Sequence, residues 1–186
     1  MAGPPVAKAI GEDVDKEGLG GAEINGKNGV VDDIVATEAE AFAAARRFLS
    51  YLPASVHTLA PRTMPNDPPS RRDETLIKVV PRDRRVPYKM RRIVEACVDS
   101  GAFFETGRQW GRGLITGFAR LNGFSVAVLA GDPMFLAGAW TADVCRKLIK
   151  HVDLAQTFHL PVVHFVDCPG FAVGAKHERS GVVELG

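Results

Sequence analysis

The stretch Leu160–Gly174, LPVVHFVDCPGFAVG, decides the fold that we expect for this chain. Its first part, Pro161–Val166, is a run of β-branched and apolar residues that predicts a buried strand. Asp167–Gly170 then has the composition of a turn, and Gly170–Gly174 leads on towards a helix start. A strand that passes through a glycine-flanked turn into a helix directs free main-chain N–H groups into one concavity. The stretch therefore predicts an anion or oxyanion site made of main chain.

The residues before this stretch carry a hairpin signal and a helix signal. Two apolar runs, Leu114–Leu121 and Phe124–Ala130, are joined by Asn122-Gly123, which predicts two antiparallel strands and a type I′ turn. In Ala139–Phe158 the apolar residues have helical spacing, and Thr141 is the predicted N-cap. A strand that returns after a helical crossover lies parallel to its neighbour. The order hairpin, helix, strand therefore predicts an α/β fold whose sheet is covered by helices.

The first half of the chain is less regular. Thr37-Glu38-Ala39-Glu40 predicts a capping box at the start of an amphipathic helix that ends at Pro53. Five prolines between Pro53 and Pro69 predict a linker between two bodies. After the linker, Leu76–Val80 predicts a short strand, and Val86-Pro87-Tyr88 opens a further helix.

Composition and charge exclude several classes of protein. With 186 residues, 46% of them hydrophobic, the chain can form a sizeable core, and a net charge of +1 gives no general attraction to nucleic acid or membrane. The basic stretch Arg71–Arg92 is interpreted as a solvated or inter-subunit face, with a phosphate-contacting face as the alternative. No apolar run is long enough to span a membrane and no signal architecture is present, so we expect a cytoplasmic protein.

Cysteine and histidine spacing predicts neither a disulfide framework nor a metal site. Three cysteines are an odd number, and they show no C-x-x-C spacing. The five histidines show no H-x-x-x-H or H-E-x-x-H spacing, so no metal is predicted. His164, inside the predicted strand, is interpreted as a packed or surface residue, and Cys168 as a small hydrophobic residue with a reactive thiol as the alternative.

Several segments together resemble a known family. The family is the carboxyltransferase (β) subunit of biotin-dependent acyl-CoA carboxylases, such as propionyl-CoA carboxylase. The segments that resemble it are Val86-Pro87-Tyr88, Gly113–Gly123, the helix Thr141–Phe158 and Leu160–Gly174. Five earlier segments are similar to the end of that family's N-terminal half: Ala2–Val6, Gly11-Glu12, Leu19–Ala22, Gly29–Asp32 and Phe48–Pro53. The resemblance covers nearly the whole chain in order, which is far more specific than any single glycine motif.

The resemblance implies a crotonase-like (ClpP/crotonase) fold of ββα units arranged as two partial domains. Residues 1–53 would be the C-terminal part of the N-terminal carboxyltransferase domain, 54–85 a proline-rich linker and lead-in, and 86–186 the first part of the C-terminal domain. The family's glycine pairs that form the acyl-CoA oxyanion holes would lie before Met1 and after Gly186. We therefore expect a central fragment that is inactive alone.

The implied activity is the transfer of a carboxyl group from carboxybiotin to the α-carbon of a short-chain acyl-CoA, propionyl-CoA or acetyl-CoA. Biotin would be carried on a separate protein or domain and not attached to this chain. The implied partners are the biotin carboxylase/biotin carrier (α) subunit, the acyl-CoA and further copies of the chain, with no nucleic acid and no membrane. Negative charge in such a reaction is stabilised by main-chain N–H groups, so no catalytic side chain is expected.

The resemblance also implies site residues. Gly170, Phe171 and Gly174 match the wall of the biotin side, and Gly20 and Gly21 are candidates for the CoA side. The alternative is that these glycines only permit tight turns or positive φ.

Two further functions stay open at this point. The chain could be a non-catalytic remnant or interaction fragment of the same family. A single-domain crotonase-type hydratase or isomerase is a third possibility, but it needs a carboxylate acid/base pair that the sequence does not place.

Overall fold

The computed structural model describes residues 3–65, 67–83 and 85–186. The sheet that carries the candidate site has four strands. In spatial order they are β1 (Phe104–Thr106), β2 (Leu114–Leu121), β3 (Phe124–Gly131) and β4 (Val162–Phe165). β1–β2 and β2–β3 pair antiparallel, whereas β3–β4 pair in parallel after a helical crossover. The predicted α/β architecture with a parallel return strand is confirmed.

The hairpin between β2 and β3 has the predicted turn. Leu121 pairs with Phe124, and the two residues between them have positive φ, 50° at Asn122 and 81° at Gly123. Two consecutive positive φ angles define a type I′ turn, whose twist matches that of the flanking strands. The Asn-Gly dipeptide therefore set the register of the longest pairing in the sheet.

Helices precede, cross over and follow the sheet. They are α1 (Pro4–Ala9), α2 (Lys16–Gly20), α3 (Ala22–Lys27), α4 (Glu38–Ser50), α5 (Met90–Cys97), α6 (Ala142–Thr157), α7 (Ala175–Arg179) and α8 (Val182–Leu185). The predicted strand Leu76–Val80 is wrong, because Glu74–Lys78 form a 3-10 helix. The Asp73 carboxylate accepts hydrogen bonds from Thr75 N at 2.9 Å and Thr75 Oγ1 at 2.6 Å, and such local bonds compete with extended pairing.

Two hydrophobic clusters lie on opposite faces of the sheet. On one face Met90, Val94 and Val98, at and just after α5, pack against Ile115 and Val128. The other face is covered by the end of α4 and by α6, through Tyr51, Leu52, Phe118, Ala127, Ala155 and Leu160. Residues near the end of the predicted first domain therefore share a core with β2 and β3, while the division at residues 53 and 85 stays a prediction.

β4 is more exposed than its sequence predicted. Val162 is 44% exposed, and among the described residues β4 pairs with β3 alone, so it lies at an edge of the sheet. The expectation of a buried strand was wrong for this reason, since apolar β-branched composition does not distinguish an edge strand from a central one. In the described part of the chain, no helix is both long and apolar enough to cross a membrane.

The α4 capping box is present as predicted. Thr37 Oγ1 accepts from Glu40 N at 3.3 Å, and the Glu40 carboxylate accepts from Thr37 N at 3.2 Å. We expect Thr37→Ala to lower the free energy of unfolding by about 1 kcal/mol, the usual cost of losing an N-cap side chain. Urea unfolding of both proteins measures this difference. Thr157→Ala, near the C-terminal end of α6, is the control, and an equal loss there would contradict the capping role.

Candidate active-site loop

The loop Asp167–Gly174 follows β4 at its carboxyl end, where the strand, turn and glycine pattern predicted a main-chain site. Gly170 has φ 123° and Gly174 has φ 133°, a region that residues with a side chain rarely adopt. These glycines therefore do permit positive φ, while their assignment with Phe171 to the wall of a ligand site stays a prediction. Because Gly174 also has ψ 154°, valine there would be strained whatever space surrounds it.

One end of the loop is held by a short β-bridge to the residue before the N-cap of α6. Trp140 N donates to Gly170 O at 3.0 Å, and Ala172 N donates to Trp140 O at 2.8 Å. The Trp140 and Phe171 rings meet edge to face, with their centroids 6.1 Å apart. Trp140 thus fixes both the main chain and the side chain of Phe171.

Several main-chain N–H groups of the loop make no hydrogen bond within the described residues. Within the described residues, neither Phe171 N nor Gly174 N donates a hydrogen bond to the protein, whereas Gly170 N is directed to Cys168 Sγ at 3.3 Å. A Cβ added at Gly170 would meet no atom within 4 Å, and Phe171 is 39% exposed. Asp167 N, Cys168 N and Val173 N make no such hydrogen bond either, so the loop offers several unpaired main-chain donors beside a partly exposed aromatic ring.

The start of the loop is held by Tyr88, which lies ahead of α5. Tyr88 Oη donates to Asp167 Oδ2 at 2.5 Å. Burial raises the pKa of the Tyr88 hydroxyl, and the hydrogen bond to Asp167 raises it further. The phenol therefore stays protonated and remains a donor at any physiological pH.

Removing this hydroxyl should loosen the loop. We expect Tyr88→Phe to lower the free energy of unfolding by about 1–2 kcal/mol, because a partly buried hydrogen bond to a carboxylate is lost. The amide NMR signals of Phe171 and Gly174 should move as well. Tyr51→Phe is the matched control, since Tyr51 Oη donates at 2.5 Å to the Ala102 carbonyl, which lies outside the loop. Unmoved loop signals in Tyr88→Phe would contradict the role of Tyr88.

Two glycines that sequence reasoning did not identify allow the loop to pack closely against its neighbours. A Cβ added at Gly131, the last residue of β3, would overlap the Asp167 carbonyl oxygen. At Gly138 an added Cβ would lie 2.8 Å from the same oxygen. The loop can therefore pack against the end of β3 only because both positions lack a side chain. The sequence signal that could have identified one of them is Gly131, a glycine directly after the apolar run of β3.

A charge network of two buried carboxylates and two partly exposed arginines, also missed from the sequence, fixes the end of β3. Arg91 donates to Glu105 with both Nε and Nη2, at 2.9 and 2.6 Å, and its Nη1 donates to Asp132 Oδ2 at 2.6 Å. Arg108 Nε also donates to Glu105, at 3.2 Å. The hydrogen bonds to both carboxylates raise the pKa of Arg91. Asp132 follows Gly131, so this network anchors the main chain against which the loop packs.

The basic stretch of the sequence lies partly beside this site. A groove of about 500 Å³ is lined by Pro81, Arg85, Pro87, Tyr88, Pro133 and Asp167, among others. Arg85 is exposed and pairs locally with Asp83 at 3.2 Å. The stretch therefore borders solvent near the start of the loop.

The two CoA-side candidates lie on other elements. Gly20 is the last residue of α2, and its carbonyl accepts from Asn25 Nδ2 at 2.7 Å. Gly21 is the N-cap of α3, and a Cβ there would lie 2.7 Å from the Glu17 carbonyl oxygen. No hydrogen bond within the described residues joins either glycine to the loop. Gly21 therefore allows close backbone packing, whereas an added Cβ at Gly20 would meet only the Asn25 amide, at 3.8 Å. Ligand contact by either glycine stays a prediction.

The described part of the chain contains no candidate metal site. No group of three or more histidine, cysteine, aspartate or glutamate side chains is placed there to hold a metal ion. Cys97, Cys145 and Cys168 are free thiols.

An α/β sheet with a glycine loop at the carboxyl end of a parallel strand is the architecture in which α/β proteins commonly bind ligands. The family model of the carboxyl transferase domain matches residues 1–186, and the chain belongs to this family. The predicted resemblance is confirmed.

Three curated relatives match over the whole chain. One is the methylmalonyl-CoA decarboxylase subunit alpha of Veillonella parvula, 34% identical over 188 residues. Another is the biotin-dependent long chain acyl-coenzyme A carboxylase beta4 subunit of Mycobacterium tuberculosis, 33% identical over 189 residues. The third is the propionyl-CoA carboxylase beta chain of Roseobacter denitrificans, 34% identical over 188 residues. The match takes up 37%, 36% and 37% of these relatives, so the chain spans little more than a third of their length.

The fold is shared with a solved structure of the same kind. The transcarboxylase 12S structure, a hexamer with methylmalonyl-coenzyme A and methylmalonic acid bound, superposes with a TM-score of 0.95 at 32% identity. The superposition covers 100% of this chain and 36% of that one. The fold is therefore crotonase-like α/β, as predicted.

Proposed function

We propose that this chain belongs to the carboxyltransferase component of a biotin-dependent acyl-CoA carboxylase. The reaction is transfer of a carboxyl group from carboxybiotin to the α-carbon of a short-chain acyl-CoA, propionyl-CoA or acetyl-CoA. Family membership over the whole chain and its similarity to the propionyl-CoA carboxylase beta chain support this reaction. The observation that carries it is the open glycine loop, in which Phe171 N, Gly174 N and neighbouring main-chain N–H groups make no hydrogen bond within the described residues.

The residues of the loop fit the ureido ring of biotin. That ring is planar and carries a carbonyl oxygen, which needs hydrogen-bond donors and an uncovered approach. Gly170 leaves the main chain uncovered, and the partly exposed Phe171 ring supplies an apolar wall. Charged side chains are not required at this contact, since N–H donors aimed at an oxygen stabilise developing negative charge.

The chain's own residues have three roles in this proposal. When bound, carboxybiotin supplies the carboxyl group to be transferred. Phe171 N and Gly174 N would hold the ureido carbonyl oxygen. Trp140 and Tyr88 hold the loop from its two ends, so the donors are positioned before the ligand arrives. Gly20 and Gly21 are kept as candidates for the acyl-CoA side.

The proposed surroundings follow from the same family. Biotin is carried on a separate protein or domain, the partner is the biotin carboxylase/biotin carrier (α) subunit, and several copies of the chain assemble in the cytoplasm. The hexameric transcarboxylase 12S supports the expectation of a homo-oligomer. Nucleic acid and membrane are not among the proposed partners.

Biotin binding tests the site directly. We expect biotin methyl ester, titrated into the ¹⁵N-labelled chain, to shift the amide signals of Phe171 and Gly174 before others. Phe171→Ala should weaken binding roughly fivefold, because about 1 kcal/mol of apolar contact is lost. Phe124→Ala is the control, since Phe124 is also partly exposed but lies on the hairpin. Shifts confined to other residues, or equal weakening by both variants, would contradict the assignment.

Carboxyl transfer itself can be measured in a chimera. The matching residues of the Roseobacter denitrificans propionyl-CoA carboxylase beta chain are replaced by this chain, and assembly is checked by mass in solution. We expect the assembled chimera to form methylmalonyl-CoA from propionyl-CoA, with the native beta chain as control. An assembled chimera without turnover would favour a non-catalytic remnant.

A further inference from the structure

The segment Asp132–Gly138, which we call the β3 turn, leads from the end of β3 towards α6 and has an uncommon main-chain conformation. Three consecutive residues, Leu136, Ala137 and Gly138, have positive φ angles of 48°, 52° and 78°. Glycine adopts this left-handed region freely, but leucine and alanine seldom do. Because the conformation is unfavourable for residues with a side chain, the surrounding structure must hold it in place.

Asp132 holds the start of the β3 turn. Its side chain is fully buried, and Oδ1 accepts from Met134 N at 3.1 Å. Its carbonyl accepts from Phe135 N at 3.1 Å, and the Phe135 carbonyl accepts from Gly138 N at 2.9 Å. The other carboxylate oxygen, Oδ2, accepts from Arg91 Nη1 at 2.6 Å, which connects the turn to α5. The two oxygens of one carboxylate therefore join the turn to a helix on the sheet.

The β3 turn also contacts the candidate loop. A Cβ added at Gly138 would lie 2.8 Å from the Asp167 carbonyl oxygen, so the two main chains are packed closely here. Pro133 and Ala137 line the same groove as Tyr88 and Asp167. Asp167 is the first residue of the loop. A displacement of the turn must therefore move the loop or break this contact.

We propose that Asp132 is a positioning residue for biotin binding: its carboxylate holds the β3 turn in its left-handed conformation, and the turn holds Asp167 and the loop that follows. Asp132 itself does not touch the ligand in this proposal. The inference rests on the proposed function for the identity of the ligand, whereas the contacts that carry it all lie within the chain.

Asp132→Asn tests this role with almost no change of shape. Asparagine offers one acceptor oxygen where aspartate offers two, so its amide group must face either Met134 N or Arg91, and both are donors. We expect the amide signals of Phe171 and Gly174 to shift. Biotin methyl ester binding should weaken by about tenfold, the effect of losing one hydrogen bond to the ligand.

Asp99→Asn is the matched control. The Asp99 carboxylate also accepts from two donors, Asn122 N at 2.8 Å and Gly123 N at 2.7 Å, but these belong to the β2–β3 hairpin. This variant should lose stability and yet leave the loop signals and biotin methyl ester binding unchanged. Unmoved loop signals in Asp132→Asn, or equal shifts in both variants, would overturn the proposal.

A pair of substitutions at Leu136 tests the turn with Asp132 intact, and it decides the matter if Asp132→Asn does not fold. Leu136 is 65% exposed, so little packing is lost when it is replaced. Asparagine tolerates positive φ, whereas the β-branched valine adopts it very rarely. Leu136→Val should therefore shift the loop signals further than Leu136→Asn and weaken binding about fivefold more. Equal effects of the two substitutions would show that the turn does not position the loop.

The two measurements separate this inference from the proposed function. If biotin methyl ester does not bind the unmodified chain, the proposed function is wrong, and the loop signals of the variants still show whether Asp132 positions the loop. If the ester binds the unmodified chain and Asp132→Asn changes neither the signals nor the affinity, the positioning role alone is wrong.

Discussion

Gly131→Ala is expected to destabilise the chain by about 1–3 kcal/mol, the range for overpacking a filled interior, and to displace the loop Asp167–Gly174. The added methyl group would overlap the Asp167 carbonyl oxygen, which belongs to main chain and cannot rotate away. Either the loop or the end of β3 must move. The Arg91–Asp132 ion pair resists movement of β3, so the loop should give way and biotin methyl ester binding should fall with it.

Urea unfolding and the amide signals of Phe171 and Gly174 measure the two effects of this change. Gly20→Ala is the control with the opposite sign, because Gly20 lies in a helix, has ordinary φ, and has only the Asn25 amide 3.8 Å from an added Cβ. It should stabilise the chain by up to about 1 kcal/mol. Equal stability of Gly131→Ala and the unmodified chain, with unmoved loop signals, would show that the loop does not depend on this contact.

Acid should weaken the fold through His151. The folded-state pKa of about 4 lies below the ordinary 6.5, so the unfolded chain takes up the proton first as the pH falls. Stability from this residue is fully present above about pH 6.5 and is lost as the pH falls towards 4. Between about pH 7 and pH 5 the loss is about 2 kcal/mol.

The charges around His151 do not reverse this sign. Lys147 lowers the pKa of the ring and Asp32 raises it, both less than burial lowers it. Lys147 itself has a pKa lowered to about 8 by burial, so it keeps its proton throughout this range. His164, whose pKa burial also lowers, adds a loss of the same sign and is left unchanged in the test.

Comparing variants isolates the contribution of His151. His151→Phe should reduce the loss of stability between pH 7 and pH 5 by about 2 kcal/mol, because no group is left there to titrate. His57→Phe, at an exposed site, should keep the full loss. Urea unfolding of the three proteins at both pH values gives the six free energies needed. The same loss in His151→Phe as in the unmodified chain would show that other groups carry the acid sensitivity.

Elements with local signals could be predicted from the sequence. The Asn122-Gly123 turn, the Thr37 capping box and the Thr141 N-cap each depend on residues within four positions of one another, and all three are present. Leu76–Val80 failed as a strand and β4 failed as a buried one. Both failures have the same cause, because a short apolar run does not specify whether a partner strand lies beside it.

The candidate loop was predictable only in part. Its glycines and turn were evident from composition, and their positive φ angles follow. Its supports come from Tyr88, Gly131 and Trp140, which are brought to the loop by the fold. The pairing of Arg91 with Glu105 and Asp132 is equally non-local, since it joins α5 to the ends of two strands.

The β2–β3 hairpin also has a consequence for the order in which the chain folds. A two-residue turn closes its contacts over a very short separation along the chain, and hairpins form in about 1–10 μs. The pairing of Ala127 with Val162 must instead enclose all of α6, which costs more loop entropy and is slower. Because the loop is attached to β4, we expect it to be organised only after α6 has docked. The hydrogen-bonded amide of Ala172 should therefore acquire protection from hydrogen exchange later than the amides of the hairpin.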